Sequence, residues 1–205
     1  DVLNQYLTRD DRDKLAADYE KKYLKFEKVK QPSTTAITMK VDLYPREKRM
    51  EASGSYQLVN DTGAPVTDLH VRYPDQNLKM IDLKVPGARL VMDDEKLHYR
   101  IYRYTTPLAP GATAGLSFRS ERWQRGFRAQ GDDTSLVANG TFLNNSDFAL
   151  QIGMGRDGLL RDRVKRRKYG LPAELRMAKL EDVSAEQKNY VGNADWVMSD
   201  ITVST

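Results

Sequence analysis

Residues 39–61 read MKVDLYPREKRMEASGSYQLVND, and this stretch decides the fold class. On both sides of YPREK, apolar side chains alternate with polar ones, which is the period of a β-strand with one buried face. Pro45 presets one dihedral angle of a turn. The sequence therefore predicts a hairpin whose connection runs from Tyr44 to Lys48. No side chain in it has an evident catalytic role, so we interpret the stretch as scaffold.

The same alternation continues along the chain on either side of this hairpin. Ile37 leads into the first strand, and the turn-rich string NDTGAP at 60–65 ends the second. Further strands are predicted at 69–73, 80–85, 89–92, 97–104, 114–118 and 196–204. Many short strands separated by turns are typical of a sandwich. We expect a mainly β chain, an antiparallel, saddle-like β-sandwich.

The first part of the chain has the period of a helix instead. Its apolar stripe consists of Leu15, Tyr19, Tyr23 and Phe26. Thr8 and Asp11 form a plausible N-cap, and Pro32 cannot continue a helix. We expect this amphipathic helix to lie against the sheet or against a neighbouring part of a longer protein.

The predicted domains are an N-terminal helical linker at 1–32 and a single antiparallel β domain at 33–205. The second contains an irregular segment at 120–190, where strand periodicity is weak. Near 155–190 we expect a helical or loop insertion, with a short helix around the string LPAELRMAKL. The chain begins at Asp1 without Met and ends within a strand pattern, which we interpret as a piece of a longer protein.

The composition of the chain excludes several kinds of functional site. The 205 residues include no cysteine, so disulfides, thiolate zinc sites and cysteine nucleophiles are absent. No run of residues has the length and apolar character of a membrane-spanning helix. The two histidines, His70 and His98, lie outside any metal-binding motif, and we interpret them as strand histidines on a sheet surface.

The positive charge is concentrated in residues 156–168, which we call the basic segment. It has seven cationic and two acidic residues, a net charge of +5, whereas the whole chain has +4 and the remainder therefore −1. Candidates for contact with an anionic surface are Arg161, Arg163, Lys165, Arg166, Arg167 and Lys168. The alternative is a solvated loop. Because no aromatic residue is interleaved within it, nucleic acid is not an expected partner.

Four strings together resemble one known family. They are VDLYPREKRMEASGSYQLVNDTGAPVTDLHV, YRYTTPLAPGATAGLSF, NGTFLNNSDFALQIG and ADWVMSDITVST. In order and spacing they resemble the N-terminal β domain of aminopeptidase N-like zinc metallopeptidases. The resemblance is closer to a bacterial subgroup in which the peptidase follows the membrane segments of an ABC-type permease. In that subgroup, VLNQYLTRDDRDKLAADYEKKYLKFE would link the last membrane helix to the β domain.

The resemblance implies that the chain is the noncatalytic first domain of a larger enzyme. A thermolysin-like domain with H-E-x-x-H would follow and bind zinc, so this chain would hold no cofactor and no catalytic residue. Its partners would be that catalytic domain, the enzyme's peptide substrate, and the membrane through the permease segments. We expect a soluble domain on the extracytoplasmic side of the bacterial inner membrane.

In such enzymes a polar residue late in the β domain holds the free amino end of the substrate. Here the corresponding string is GTFLNNSDFALQIG, and it lacks the usual Gln, Arg and Cys pattern of the family. Asn144, Asn145 and Gln151 are therefore candidates for a position facing the substrate cleft. The alternative is that they belong to a structural loop, where Asn is common.

Three functions remain open from the sequence. The first is the noncatalytic domain of a membrane-tethered zinc aminopeptidase. The second is an Ig-like extracytoplasmic module that binds protein or glycan, which rests on the sandwich pattern alone. The third treats the basic segment as a contact for an anionic membrane or an acidic partner, independent of peptidase activity.

Overall fold

A computed structural model of the chain describes residues 7–73, 77–126, 135–144, 147–173, 181, 183 and 196–205. Within these ranges the chain is mainly β, as predicted. It forms two larger sheets and one small hairpin, with an N-terminal helix, α1, at Arg9–Tyr23. A short 3-10 turn at Leu24–Phe26 extends α1, and a second helix, α2, spans Arg163–Lys168.

The first sheet contains five strands in the spatial order β11-β1-β2-β7-β4. Their bounds are β1 Ser33–Tyr44, β2 Arg49–Val59, β4 Leu78–Lys84, β7 Thr113–Trp123 and β11 Met198–Ser204. The predicted hairpin is present, with Pro45–Glu47 as a 3-10 turn between β1 and β2. One pairing departs from the expected antiparallel arrangement, because β11 lies parallel to β1.

The second sheet contains four strands in the order β10-β3-β6-β5. Their bounds are β3 Val66–Arg72, β5 Ala88–Asp94, β6 Tyr99–Leu108 and β10 Gln151–Ile152. A separate small hairpin pairs β8, Leu136–Val137, with β9, Gly140–Thr141. Beyond the end of β7, the described part of the irregular segment thus contains only strands of two residues, which explains its weak periodicity.

The two larger sheets pack face to face around one hydrophobic core. The first sheet contributes side chains such as Val41, Met50 and Phe118, and the second contributes Leu69 and Tyr102. Burying a large apolar side chain stabilises a fold by roughly 1.5–3 kcal/mol. The sandwich predicted from the alternation is therefore confirmed, and the inward-facing residues of both sheets hold it together.

The second sheet is covered on its other face as well. In β3, Leu69 and Val71 face the sandwich core, whereas His70 and Arg72 face the opposite side and are also buried. Helix α1 lies over that side and packs against β6. The chain therefore has three layers, and β3 is buried on both faces because it lies in the middle one.

Helix α1 begins as predicted. The side chain of Thr8 accepts a hydrogen bond from the Asp11 backbone, and the Asp11 carboxylate accepts one from the Thr8 backbone, which makes a capping box. In the basic segment the helix that is present is α2, whereas Leu171 to Ala173 are not helical. The rest of the helix predicted around LPAELRMAKL lies outside the described residues.

Asn60 joins two of the connections that run between the sheets, the β2–β3 turn and the β6–β7 turn. Its side-chain Nδ2 donates to the carbonyls of Ala64, at 2.8 Å, and Leu108, at 2.7 Å. Its backbone N–H donates to the carbonyl of Ala112 at 2.9 Å, and its carbonyl accepts from the N–H of Gly111 at 2.7 Å. The side chain is fully buried, so it fixes the β2–β3 turn against the β6–β7 turn.

We expect Asn60→Ala to lower the free energy of unfolding by about 2 kcal/mol, because two carbonyls lose their donor in a buried place. Urea denaturation followed by circular dichroism measures the change. The matched control is Asn139→Ala, since Asn139 lies in an exposed turn. Equal midpoints for the two variants would contradict the role given to Asn60.

Candidate functional site

The side of the second sheet that α1 covers is lined with aromatic side chains. Tyr23 stacks on Tyr99 with 4.0 Å between ring centroids, and Tyr19 meets Tyr99 edge-on. Ile101 completes the buried cluster. Three of the four residues predicted as the apolar stripe of α1 lie here, because Phe26 packs against the same cluster and against His70. Aromatic pairs of this geometry add about 0.5–1.5 kcal/mol each beyond burial.

Hydrogen bonds fix the positions of the two tyrosines of α1. The Tyr23 hydroxyl donates to Oδ2 of Asp94 at 2.6 Å. The Tyr19 hydroxyl donates to the carbonyl of Gly155 at 3.0 Å and accepts from the N–H of Gly155 at 3.2 Å. Burial, together with the adjacent Asp94 carboxylate, raises the pKa of Tyr23. Both tyrosines therefore stay neutral and position α1 through specific partners.

The carboxylate of Asp94 also accepts a bond from the ammonium of Lys22. Burial acts to raise the pKa of Asp94, but the hydrogen bonds from Lys22 and Tyr23 outweigh burial and leave it below its usual value. The charged form of Asp94 is therefore the stable one here. It connects α1 to the end of β5.

A row of acidic side chains on α1 and its extension pairs with the basic segment. We call it the acidic row, and it consists of Asp10, Asp13, Glu20 and Glu27. In the same order, its partners are Lys168 at 2.8 Å, Lys165 at 2.6 Å, Arg166 at 2.6 Å, and Arg156. Partners lie more than a hundred residues apart in sequence. The basic segment therefore attaches α1 to the domain.

The pair between Glu20 and Arg166 is buried, and the Asp10–Lys168 pair is exposed. Two nitrogens of Arg166 donate to the two carboxylate oxygens of Glu20, at 2.7 and 2.6 Å. Arg166 also donates to the carbonyls of Leu160 and Pro172. Exposed ion pairs contribute only about 0–1 kcal/mol, so the Asp10–Lys168 pair adds little to the attachment of α1.

The six predicted surface cations therefore fall into two groups. Lys165, Arg166 and Lys168 bind the acidic row. Arg161, Arg163 and Arg167 are exposed. Whether either group contacts an anionic surface stays a prediction.

The substrate-cleft candidates are not brought together as one site. Gln151 is half-buried in β10, and its side-chain oxygen accepts a bond from Arg72. Asn144 lies in an exposed turn, where its backbone N–H donates to the Asp147 carboxylate at 2.6 Å. Asn145 lies outside the described residues. The role of these three residues in a cleft stays a prediction.

The histidines are not placed on a sheet surface, and that interpretation was wrong. His70 is buried beneath α1, and its Nδ1 lies 2.8 Å from the Tyr99 hydroxyl. His98 precedes β6 with a left-handed φ of 50° and stacks on Tyr73. The sequence could not show this because alternation identifies the two faces of a strand, not what covers them. Among the described residues, no three His, Asp or Glu side chains form a possible metal site.

One open pocket lies between the start of α1 and the turn after β5. It has a volume of about 210 Å³ and is lined by Leu7, Asp11, Lys14, Leu15, Glu95, Lys96 and His98. Pockets for drug-sized ligands have about 300–1,000 Å³. Its size does not suggest a substrate site.

The acidic row was not among the partners predicted for the basic segment. A signal was present, because Asp10, Asp13, Glu20 and Glu27 follow one another at spacings of three, seven and seven, which places them on one helix face. An acidic helix face and a basic run in one chain are complementary. Their pairing could have been proposed from the sequence.

Comparisons with known proteins find similarity only at the level of structure. No protein-family model matches the sequence, and no curated protein matches it. A crystal structure of an M1 zinc metallopeptidase from Deinococcus radiodurans has 12% sequence identity and a TM-score of 0.37, covering 47% of this chain. A two-domain M1 zinc metallopeptidase mutant bound to L-tryptophan gives 12% identity, 47% coverage and a TM-score of 0.36.

In both cases the aligned part is 21% of the other chain. The chain therefore spans about a fifth of the length of the solved structures that it matches. Similarity of this size carries no argument about function, which has to rest on the residues themselves.

Proposed function

We propose that this chain is the noncatalytic N-terminal β domain of a membrane-tethered zinc aminopeptidase. Peptide hydrolysis from the N-terminus would be carried out by a catalytic domain of the same parent chain, which would hold the zinc. The β domain would form one wall of the substrate cleft. In the finer form of the proposal, the parent is a bacterial ABC-permease fusion, and the domain lies on the extracytoplasmic side of the inner membrane.

One observation carries the proposal: the strings that resemble the family converge at Asn60. NDTGAP at 60–65 and PLAPGA at 107–112 are far apart in sequence, and they supply two of the connections that run between the sheets. The buried side chain of Asn60 bonds to both. If the resemblance were due to chance, the matching strings would not be expected to contact each other in the fold. We therefore take the resemblance as that of one structural unit.

In the proposal, the outer edge of the first sheet is the surface that packs against the catalytic domain of the parent. Ile201 and Val203 of β11 pair in register with Met39 and Val41, which point into the core. Yet 42% of Ile201 and 57% of Val203 are exposed. The apolar face of the sheet thus continues to an edge that the described residues leave uncovered. Contiguous exposed apolar surface commonly marks an interface.

Helix α1 would connect this domain to the membrane segments of the parent. Among the described residues, no helix combines the length and the apolar character needed to cross a membrane. The proposal independently assigns the membrane segments to other parts of the parent.

The parent protein tests the proposal directly. Its coding sequence beyond Thr205 should contain H-E-x-x-H, because two histidines on one helix turn supply zinc ligands. The full parent in detergent should release the chromophore from aminoacyl anilides, lose this activity with a chelator and regain it with zinc. A parent without the motif, or one that binds a glycan or protein but hydrolyses no anilide, would favour the Ig-like binding module instead.

For the 205-residue chain alone, we expect no turnover of an aminoacyl anilide, with or without added zinc. The zinc ion in such enzymes polarises the scissile carbonyl and activates water, and in the proposal its ligands belong to the catalytic domain. The measurement is the rate with and without zinc, against buffer as the control. Zinc-dependent turnover by this chain would overturn the assignment as a noncatalytic domain.

A further inference from the structure

The basic segment presents a second, outward side that the attachment of α1 does not use. Lys165 and Arg166 point toward α1, where they pair with Asp13 and Glu20. Arg163 and Arg167 are both exposed. They stand four residues apart in α2, so they are neighbours on one helix face. A helix of six residues thus has one side that binds the protein and one that faces outward.

An apolar side chain stands among these outward cations. Val164 is 74% exposed, so its apolar surface is available beside the cations of α2. Arg161 is exposed just before α2. Cations flanking an apolar residue are the composition of protein surfaces that lie on a bilayer, where phosphates attract the charges and the apolar group enters the boundary.

The outward cations lie next to the start of α1. Lys168 pairs with Asp10 at 2.8 Å, and the Tyr169 hydroxyl donates to the carbonyl of Asp10 at 3.1 Å. Arg9 is close enough to Asp162, the N-cap of α2, to contribute to its lowered pKa, although the backbone N–H of Lys165 is the main cause. In the proposed parent, this end of α1 is the end nearest the membrane.

We propose that Arg161, Arg163, Val164 and Arg167 form a contact surface for a bilayer that contains anionic lipids. The proposal rests on the proposed function only for the position of the membrane, and the charges and the exposed valine are independent of it. The phosphate groups of the lipids accept bonds from the guanidinium groups, and Val164 enters the boundary between headgroups and acyl chains. The surface would hold the domain against the membrane, next to the link that α1 makes to the membrane segments.

The test measures sedimentation of the 205-residue chain with vesicles of phosphatidylcholine, with or without about a third phosphatidylglycerol. Binding is expected only with the anionic lipid and is expected to fall as salt is raised from about 50 to 500 mM, because salt screens exposed charges. Removing both charges in Arg163→Gln/Arg167→Gln should weaken partition roughly 30-fold. Val164→Ser should weaken it by a smaller factor.

The matched control is Arg89→Gln/Arg119→Gln, which removes two exposed cations from strands of the two large sheets. It has the same net charge as the α2 variant and should bind within about threefold of the wild type, because its charges are not part of the surface. Equal losses in the two double variants would overturn the proposal and indicate only a net-charge effect. Equal binding to neutral vesicles, or binding to a nucleic-acid duplex but not to vesicles, would also overturn it.

Folding and function are separable in this test. All substituted side chains are exposed, so the thermal midpoints should agree, and circular dichroism checks this. An active parent whose β domain does not bind vesicles would contradict the surface alone. A parent without aminopeptidase activity whose domain binds anionic vesicles would contradict the proposed function alone.

Discussion

Replacing Arg166 by methionine is expected to lower the free energy of unfolding by about 3–5 kcal/mol, because it leaves a buried carboxylate without its partner. Glu20 is 2% exposed and Arg166 5%. Methionine fills a similar volume, so the loss of packing is small. It cannot replace the bidentate contact with Glu20 or the bond to the carbonyl of Pro172. Helix α1 then has to shift so that water reaches the carboxylate of Glu20.

A double-mutant cycle with urea denaturation measures this effect. Glu20→Leu/Arg166→Met removes both charges and should recover most of the lost stability, since well-packed apolar residues often replace a buried pair without cost. The matched control is Arg167→Met, which removes the neighbouring exposed charge and should change stability by less than about 0.5 kcal/mol. If Arg166→Met and Arg167→Met have the same midpoint, the buried pair does not hold α1.

The same cycle tests the predicted division of the chain at residue 32. A helical linker independent of the β domain would not couple energetically to a residue 146 positions later, which is the separation of Glu20 and Arg166. A coupling of several kcal/mol would instead mean that α1 and the β domain unfold as one unit. The boundary between 1–32 and 33–205 stays a prediction until that measurement.

The local features of the fold could be predicted from the sequence because they depend on neighbouring residues. The hairpin at 39–61 follows from alternation and from Pro45, and the cap of α1 follows from Thr8 and Asp11. The parallel pairing of β11 with β1 could not be predicted, because alternation shows that a segment is a strand but not which strand lies beside it. The irregular segment gave the least information, since beyond the end of β7 its described strands have two residues each.

The sequence predicted which cations belong to the candidate site, but not the direction in which each side chain points. The sequence identified all six cations, yet it treated them as one surface. In the structure Arg166 is buried, whereas Arg167, the next residue, is exposed. Successive residues of a helix point about 100° apart, so a run of like residues has members on every side. Only the position of α1 determines which cations face the protein.

His70 is expected to make the domain sensitive to mild acid. Its ring is enclosed by Tyr99 of β6 and Phe26 of the turn after α1. The charged group that acts on the ring is Asp68, which Arg103 binds at 2.8 Å. Burial disfavours the imidazolium form and lowers the pKa of His70 to about 4, although Asp68 acts weakly in the opposite direction. One hydrogen bond joins Nδ1 of the neutral ring to the Tyr99 hydroxyl. A charged ring would be bonded there to a neutral hydroxyl and not to a carboxylate.

The sign of the pH dependence follows from this lowered pKa. Between about pH 6.5 and 4 the unfolded chain binds a proton at His70 that the folded chain does not, so stability falls as the pH falls. The loss should reach about 3 kcal/mol near pH 4, at about 1.4 kcal/mol per pH unit. Urea denaturation at several pH values measures it, and His70→Gln, which keeps a hydrogen-bonding group beside Tyr99, removes the titration. Acidic residues titrate in both proteins and cancel in the difference. A wild-type curve parallel to that of His70→Gln over this range would show that the buried ring already carries its proton, or that α1 opens at no measurable cost.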